Sequence, residues 1–170
     1  VAVIPIVEYP DARLRQRAEP VTGFDGDLAQ LAQDLGDTLR AAGGMAVCAP
    51  QIGHGRRVVA MAGENRTSEP EIYVNPEIVT RSTPGFVEES CLSLPGIVGS
   101  VWRATRVTVR ARDGSGAVFE RRLEGLPAVC LQHEIDHLEG ILFVDRLWLV
   151  QRLRVRARLA ARVRAVARTA

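Results

Sequence analysis

The chain has no lysine, only three histidines and three cysteines, and no long apolar run. Every one of its 22 basic residues is arginine, a bias that reflects composition and carries no functional argument. No apolar stretch approaches the roughly 18–20 residues that a helix needs to span a bilayer, so no membrane partner is expected. Val1 to Val7 is short, lacks a basic flank and meets Pro5 midway, so it does not read as a signal peptide. The first residue is not Met, through processing or through the choice of numbering, and a cytoplasmic location is expected. The three cysteines, Cys48, Cys91 and Cys130, cannot all pair within the chain. In a cytoplasmic protein they read as buried, catalytic or metal-binding rather than bridged.

What is present is ordinary for a globular chain: 46% apolar and 25% charged residues over 170 positions, enough for one domain around one core. The net charge of +2 conceals an asymmetry. Seven of the 22 basic residues fall in 151–170, which has no acid, leaving 15 basic against 20 acidic residues elsewhere, a net of −5. Residues 1–148 are therefore expected to form the body and 149–170 a basic, amphipathic helical extension of it.

A short strand is expected over Val3 to Val7, then an irregular segment between Pro10 and Pro20. Asp25 or Asp27 caps a first helix that runs to Arg40, with Leu28, Leu31, Leu35 and Leu39 at the 3–4 spacing of a buried stripe and Gly36 weakening it. Gly43-Gly44 ends it, and a loop follows to Gly53. Arg57 to Ala62 reads as a strand, Gly63 to Pro70 as a polar loop, and Glu71 to Asn75 and Glu77 to Arg81 as two strands broken at Asn75-Pro76. Val101 to Arg112 reads as one strand and Val118 to Leu123 as its hairpin partner, across a turn at Asp113-Gly114-Ser115-Gly116. Leu126 to Glu139 is a second helix, with Pro127 in its first turn and Gly140 at its end. A third runs from Asp145 to near Arg168, its apolar side formed by Leu149, Leu153, Ala160 and Val163. There is no internal repeat.

The most informative stretch is Gln132-His133-Glu134-Ile135-Asp136-His137. Two imidazoles four residues apart on a helix share a face and can reach one metal ion, while Glu134 can move a proton to or from a water on that ion. Zinc peptidases with this HExxH pattern take a third ligand from downstream. Here Phe143 occupies that histidine position, and no acid lies beyond Asp145, which reads better as a helix cap. A thiolate is the remaining strong ligand. Cys91, in a loop between Gly/Pro-marked turns, is the best placed, Cys48 is the alternative, and Cys130 lies beside the site but a turn away from the histidine pair. Two histidines and a cysteine with an open fourth position make a catalytic rather than a structural site.

These residues resemble the peptide deformylases. Gly44-Met45-Ala46-Val47-Cys48-Ala49-Pro50-Gln51 is similar to the family's G-x-G-L-A-A-x-Q, Glu89-Ser90-Cys91-Leu92-Ser93 to E-G-C-L-S, and Gln132 to His137 matches Q-H-E-x-D-H fully. Pro10-Asp11-Ala12-Arg13-Leu14-Arg15 resembles the N-terminal P-D-x-R-L-R. The resemblance implies an α+β fold, small mostly antiparallel sheets packed around a central helix that bears the HExxH, with a basic C-terminal helix. It implies a cytoplasmic hydrolase that removes formyl from the N-terminal formyl-methionine of new polypeptides. Cys91, His133 and His137 would hold one divalent metal, Fe(II) in the usual case, with Zn, Ni or Co able to replace it. A metal-bound hydroxide would attack the formyl carbon, with Glu134 as general base and acid and the Gln51 amide and Leu92 N–H stabilising the oxyanion. Taken alone, Gln51 reads as a surface residue and Leu92 as core. Gly44, Met45, Ala46, Val87, Leu126, Val129 and Cys130 would line the substrate pocket, with Glu89 at its edge and paired to Arg103. The arginines of 152–168 would meet ribosomal RNA.

Several positions depart from the family pattern. Ala46 stands where the family has glycine, Cys48 where it has alanine, Ser90 where it has glycine, and Val98 where many members carry a substrate-contacting arginine. None is a ligand or an assigned catalytic group. Two rival readings are an HExxH peptidase, which lacks its downstream ligand, and a catalytically silent ribosome- or RNA-binding protein with a structural metal, which would not need both Glu134 and Gln51.

Overall fold

In the computed structural model, which describes residues 3–63 and 69–169 (without the side chains of 162 and 165–169), the chain is α+β with small antiparallel sheets. The first helix, α1, spans Gly26–Ala42. Asp25 caps it by accepting from the Leu28 N–H at 3.3 Å, and Gly43 ends it in the left-handed conformation at φ 64°. Its leucine stripe is buried as the spacing predicts, against Val47, Ile52, Val58, Ala60 and Val74. Burying those four leucines stabilises the fold by roughly 6–12 kcal/mol, an upper estimate from area.

Five strands make one antiparallel sheet in the order β1-β2-β3-β6-β7: β1 (Ala46–Cys48), β2 (Val58–Met61), β3 (Glu71–Arg81), β6 (Arg106–Arg112) and β7 (Val118–Glu124). Two more, β4 (Pro84–Ser90) and β5 (Val98–Ala104), form a separate hairpin. Along it Val87, Glu89, Val101 and Arg103 turn inward, while Phe86, Glu88, Trp102 and Val98 face solvent. Helix α2 (Leu126–Leu138) packs Leu131 and Leu138 against Cys48, Val59, Tyr73 and Val109 of the larger sheet. A 3-10 turn (Phe143–Arg146) leads to α3 (Leu149–Thr169). No helix among the described residues is long and apolar enough to cross a membrane.

Several expectations change. Residues 3–8 form no strand; the segment from Ile4 to Tyr9 is tied down by Ile4 N–H donating to Thr38 Oγ1 (3.0 Å), Val7 N–H to the Gln51 carbonyl (2.7 Å) and Tyr9 N–H to the Ser93 carbonyl (2.9 Å). The loop expected from Gly44 to Gly53 contains β1 and a 3-10 turn over Ala49–Ile52. Asn75-Pro76 does not break β3. Asn75, at φ 50°, shifts the register, and its side-chain amide pairs with both backbone groups of Val21. The single strand expected over Val101 to Arg112 is two strands in different sheets, because the chain changes sheet at Thr105. The loop expected over Gly63 to Pro70 falls largely outside the described residues.

At the C-terminus, Asp145 does not cap α3. It accepts from the Leu142 N–H at 2.9 Å and pairs with Arg15. The apolar face of α3 is also not the one expected: Leu149 and Leu153 are exposed, whereas Val155 and Leu159 are buried with Leu94, Val101 and Phe143. Gly140, at φ 72°, lets α2 end hard against the N-terminal segment, and a Cβ there would lie 2.5 Å from the Arg15 carbonyl oxygen. Backbone strain and that clash together should make Gly140→Ala cost more than about 2 kcal/mol. Urea unfolding checks this, and a stability within about 0.5 kcal/mol of wild type would contradict it.

Candidate metal centre

Helix α2 packs on the larger sheet and bonds to Arg103 and Ala104 of β5, with polar groups on more than one side. His133 and His137, four residues apart, turn the same way, and Cys91 comes to meet them directly after β4. The Cys91 sulfur lies 3.2 Å from His137 Nε2, and His137 Nε2 lies 3.2 Å from His133 Nε2. The three ligand atoms fall within 4.8 Å of one another. Bond lengths of about 2.0–2.3 Å to one tetrahedral ion set ligand–ligand edges of roughly 3.3–3.6 Å, so the set fits a metal with little movement. Neither Cys48 nor Cys130 belongs to this group. Phe143 fills its position by packing: it is buried, its ring 6.0 Å from that of His133.

The histidine orientation is fixed from behind. Glu89 Oε2 lies 2.8 Å from His133 Nδ1, so an N–H there leaves the Nε2 lone pair facing Cys91 and His137. Glu89 is in turn held by Arg103, at 2.6 and 3.1 Å, and Arg103 reaches Asp136 on α2 at 2.6 Å. Arg146 closes the network with two bonds to Asp136. All but Arg146 are buried. The expected Glu89–Arg103 pair is present, but Glu89 does more than edge a pocket, because it backs a candidate ligand.

Charge around the site follows from this arrangement. Burial opposes ionisation of Glu89, yet His133 and Arg103 hold its pKa down to about 2. Burial also works against a charged His133, and the Cys91 sulfur, Glu89 and Glu134 outweigh it, pushing its pKa up to about 10. The same acceptors favour a cation at this position, where a metal bound at Nε2 would take the place of the proton they stabilise. His137 is pushed well below the ordinary imidazole value by burial and by His133, Arg103 and Arg15, which leaves it neutral, as a metal ligand must be. Burial raises the pKa of Glu134, the direction useful to a group that exchanges protons near neutral pH. Its Oε2 is buried and finds no hydrogen-bond partner.

Gln51 is buried, not a surface residue. It sits in the 3-10 turn after β1, where its Oε1 accepts from the Cys48 N–H at 3.0 Å. Its Nε2 turns toward Ser93 Oγ (3.2 Å) and the Cys91 sulfur (3.7 Å). A cavity of about 500 Å³ opens over this cluster. Its lining includes Gly44, Met45, Ala46, Gln51 and Leu92 from the earlier segments and Leu126, Val129, Cys130, His133 and Glu134 from α2. Leu92 is half-buried rather than core. Val87 does not line the cavity; it faces inward on β4 and packs on the cluster of Leu94 and Val101. Ala46 has no positive φ, since among the described residues Asn75 is the one non-glycine that does, so its methyl group costs no backbone strain.

Four structural participants carried no assigned role in the sequence. Gln132 spans Ala104, accepting from its N–H (3.1 Å) and donating to its carbonyl (2.7 Å) as a neighbouring strand would. Asp136 and Arg146 complete the ionic network, and Ser93 receives the Gln51 amide. Gln132 and Asp136 lie four residues apart on a helix that is otherwise mostly buried. That spacing parallels the histidine pair and is the signal that a second polar face needed partners.

The comparisons agree with this geometry. A family model described as polypeptide deformylase matches residues 3–153. A peptide deformylase of Alkalilimnicola ehrlichii is 44% identical over 96% of this chain and 93% of its own length. A peptide deformylase-like protein of Brucella melitensis is 47% identical over 88% of this chain and 92% of its own. The crystal structure of a peptide deformylase from Legionella pneumophila superposes with a TM-score of 0.88 at 44% identity, covering 98% of this chain and 99% of that one. That of Arabidopsis thaliana peptide deformylase 1B, in complex with an inhibitor, gives 0.91 at 36% identity, covering 98% and 93%. With its three motifs brought to one cavity and relatives matched nearly end to end, the chain belongs to the peptide deformylase family.

Proposed function

We propose that this deformylase is a metal-dependent, cytoplasmic enzyme that removes formyl from the N-terminal formyl-methionine of new polypeptides, releasing formate. The observation that carries the reading is the convergence of the Cys91 sulfur and the His133 and His137 Nε2 atoms on one point beside Glu134. One thiolate and two imidazoles suit Fe(II), our assignment, and Zn, Ni or Co can take the same donors. When bound, the ion supplies a water acidic enough to yield a nucleophile near neutral pH. Glu134 takes the proton and delivers it to the leaving amine. Gln51 Nε2, already fixed through its own Oε1, and the Leu92 N–H donate to the oxygen of the attacked formyl group, where one such donor is typically worth a hundred- to a thousandfold in rate. Gly44, Met45 and Ala46 lie alongside the substrate, while Leu126, Val129 and Cys130 accept the methionine side chain, an unbranched apolar group that suits this lining.

Formate release from a formyl-Met peptide tests the reading, using anaerobically purified, Fe(II)-loaded protein beside Glu134→Ala. The variant should lose at least about a hundredfold in kcat. Equal, slow release by both proteins under Fe(II), Ni and Zn would overturn it. Arg103 is assigned to hold Glu89 behind His133. Arg103→Leu should therefore weaken metal binding by roughly 10- to 100-fold in a chelator competition, and unchanged affinity would remove Arg103 from the site.

We further propose that 1–148 is the catalytic body and 149–170 a basic helical extension that meets ribosomal RNA. The seven arginines and absent acids of 151–170 support this, and Arg154, Arg156 and Arg158 are exposed. Neutralising these three to Gln should reduce ribosome co-sedimentation and flatten its dependence on salt, while tripeptide deformylation stays at wild-type rate. Unaltered co-sedimentation would sink the assignment.

A further inference from the structure

The β4–β5 hairpin borders the cavity with one face and continues well beyond it. Ser90 and Val98 form the rung nearest the metal centre and both line the cavity. Glu88 and Ser100 form the next rung on that face, and Phe86 and Trp102 the one after. Phe86 and Trp102 are 57% and 56% exposed, with ring centroids 5.3 Å apart, and Val98 is 53% exposed. An aromatic pair left this open on a two-stranded hairpin is apolar surface that the fold itself does not cover.

We propose that this face is an extended subsite for the downstream part of the substrate polypeptide, with Val98 as its near contact and the Phe86–Trp102 pair as its far one. The proposal rests on the deformylase reading of the cavity. The occupant follows from continuity, because the rung holding Val98 and Ser90 is cavity lip and hairpin face at once. Spacing agrees as well. Val98 and Trp102 are four residues apart on one strand, about 13 Å at the rise of an extended chain. A peptide lying along the hairpin therefore sets a side chain on the aromatics about four residues after the one that touches Val98. Apolar side chains at that distance gain contact with both rings, and small polar ones do not.

The test compares three substrates of the Fe(II)-loaded enzyme: a formyl-Met tripeptide, a formyl-Met octapeptide with leucines at its last three positions, and the same octapeptide with serines there. Wild type should process the leucine octapeptide about five- to tenfold faster in kcat/KM than the serine one, with the difference in KM. In Trp102→Ser and in Phe86→Ser that preference should collapse, while tripeptide kcat/KM, which also reports that each variant is folded, stays within twofold of wild type. Equal rates on the two octapeptides in wild type, or a preference that survives both substitutions, would overturn the subsite and leave the deformylase reading standing. No formate from any of the three by wild type would overturn that reading and the subsite with it.

Discussion

The site depends on a buried guanidinium. Arg103, on β5, binds Glu89 of its hairpin partner β4 and Asp136 of α2 at once. Glu89 precedes Cys91 by two residues and Asp136 directly precedes His137, so one side chain sets the separation of the thiolate from the imidazoles. Breaking one partner from such a buried network typically costs about 3–5 kcal/mol, because it leaves a charge uncompensated. With Arg146 included, two carboxylates meet two guanidinium groups and the network is neutral. A divalent ion beside the Cys91 thiolate and the Glu134 carboxylate would make the inner site neutral as well, which is the condition for holding this many ionisable groups away from water.

The other half of the site is set by backbone. The N-terminal segment from Ile4 to Tyr9 ties α1, the turn carrying Gln51 and the loop after Cys91 together through three hydrogen bonds. It thereby presents Gln51 and Leu92 to the same space from two segments forty residues apart in sequence. Gln132, bonded to both backbone groups of Ala104, aligns α2 with the end of β5. The departures from the family pattern lie around this frame. Ser90, Val98 and Ala46 line the cavity. Cys48 is buried behind Gln51, and its thiol, pushed well above its ordinary pKa by burial and by Glu134, stays protonated.

Much of this was legible in the chain because local rules and tertiary packing agreed. The leucine stripe and Asp25 cap of α1, the β6–β7 hairpin and the His133/His137 pair all rest on short-range spacing, whereas Cys91, over forty residues from that pair, was reached by weighing the three cysteines and by the family motif. Where the reading failed, a long-range interaction decided. Asn75-Pro76 looks like a break, and β3 runs through it because Val21 satisfies the Asn75 side chain. The apolar alternation from Val101 to Arg112 gives no sign that the chain changes sheets at Thr105. The exposed Leu149 and Leu153 carry as strong a helical pattern as Val155 and Leu159, and only the position of the Leu94–Phe143 cluster selects between them. Gln132 and Asp136 could be seen as polar groups in need of partners, but Ala104 and Arg103, which they bind on β5, lie about 30 residues earlier, and Arg146 lies beyond the helix.

The central claim is that one thiolate from the end of the β4–β5 hairpin and two imidazoles from α2 hold a single catalytic ion. X-ray absorption at the edge of the bound metal tests it most directly. The account predicts one sulfur at about 2.3 Å and two imidazole nitrogens at about 2.0–2.1 Å, with the sulfur scatterer absent in Cys91→Ser. A first shell of nitrogen and oxygen alone in the wild-type protein, or a sulfur signal that persists in Cys91→Ser, would contradict it.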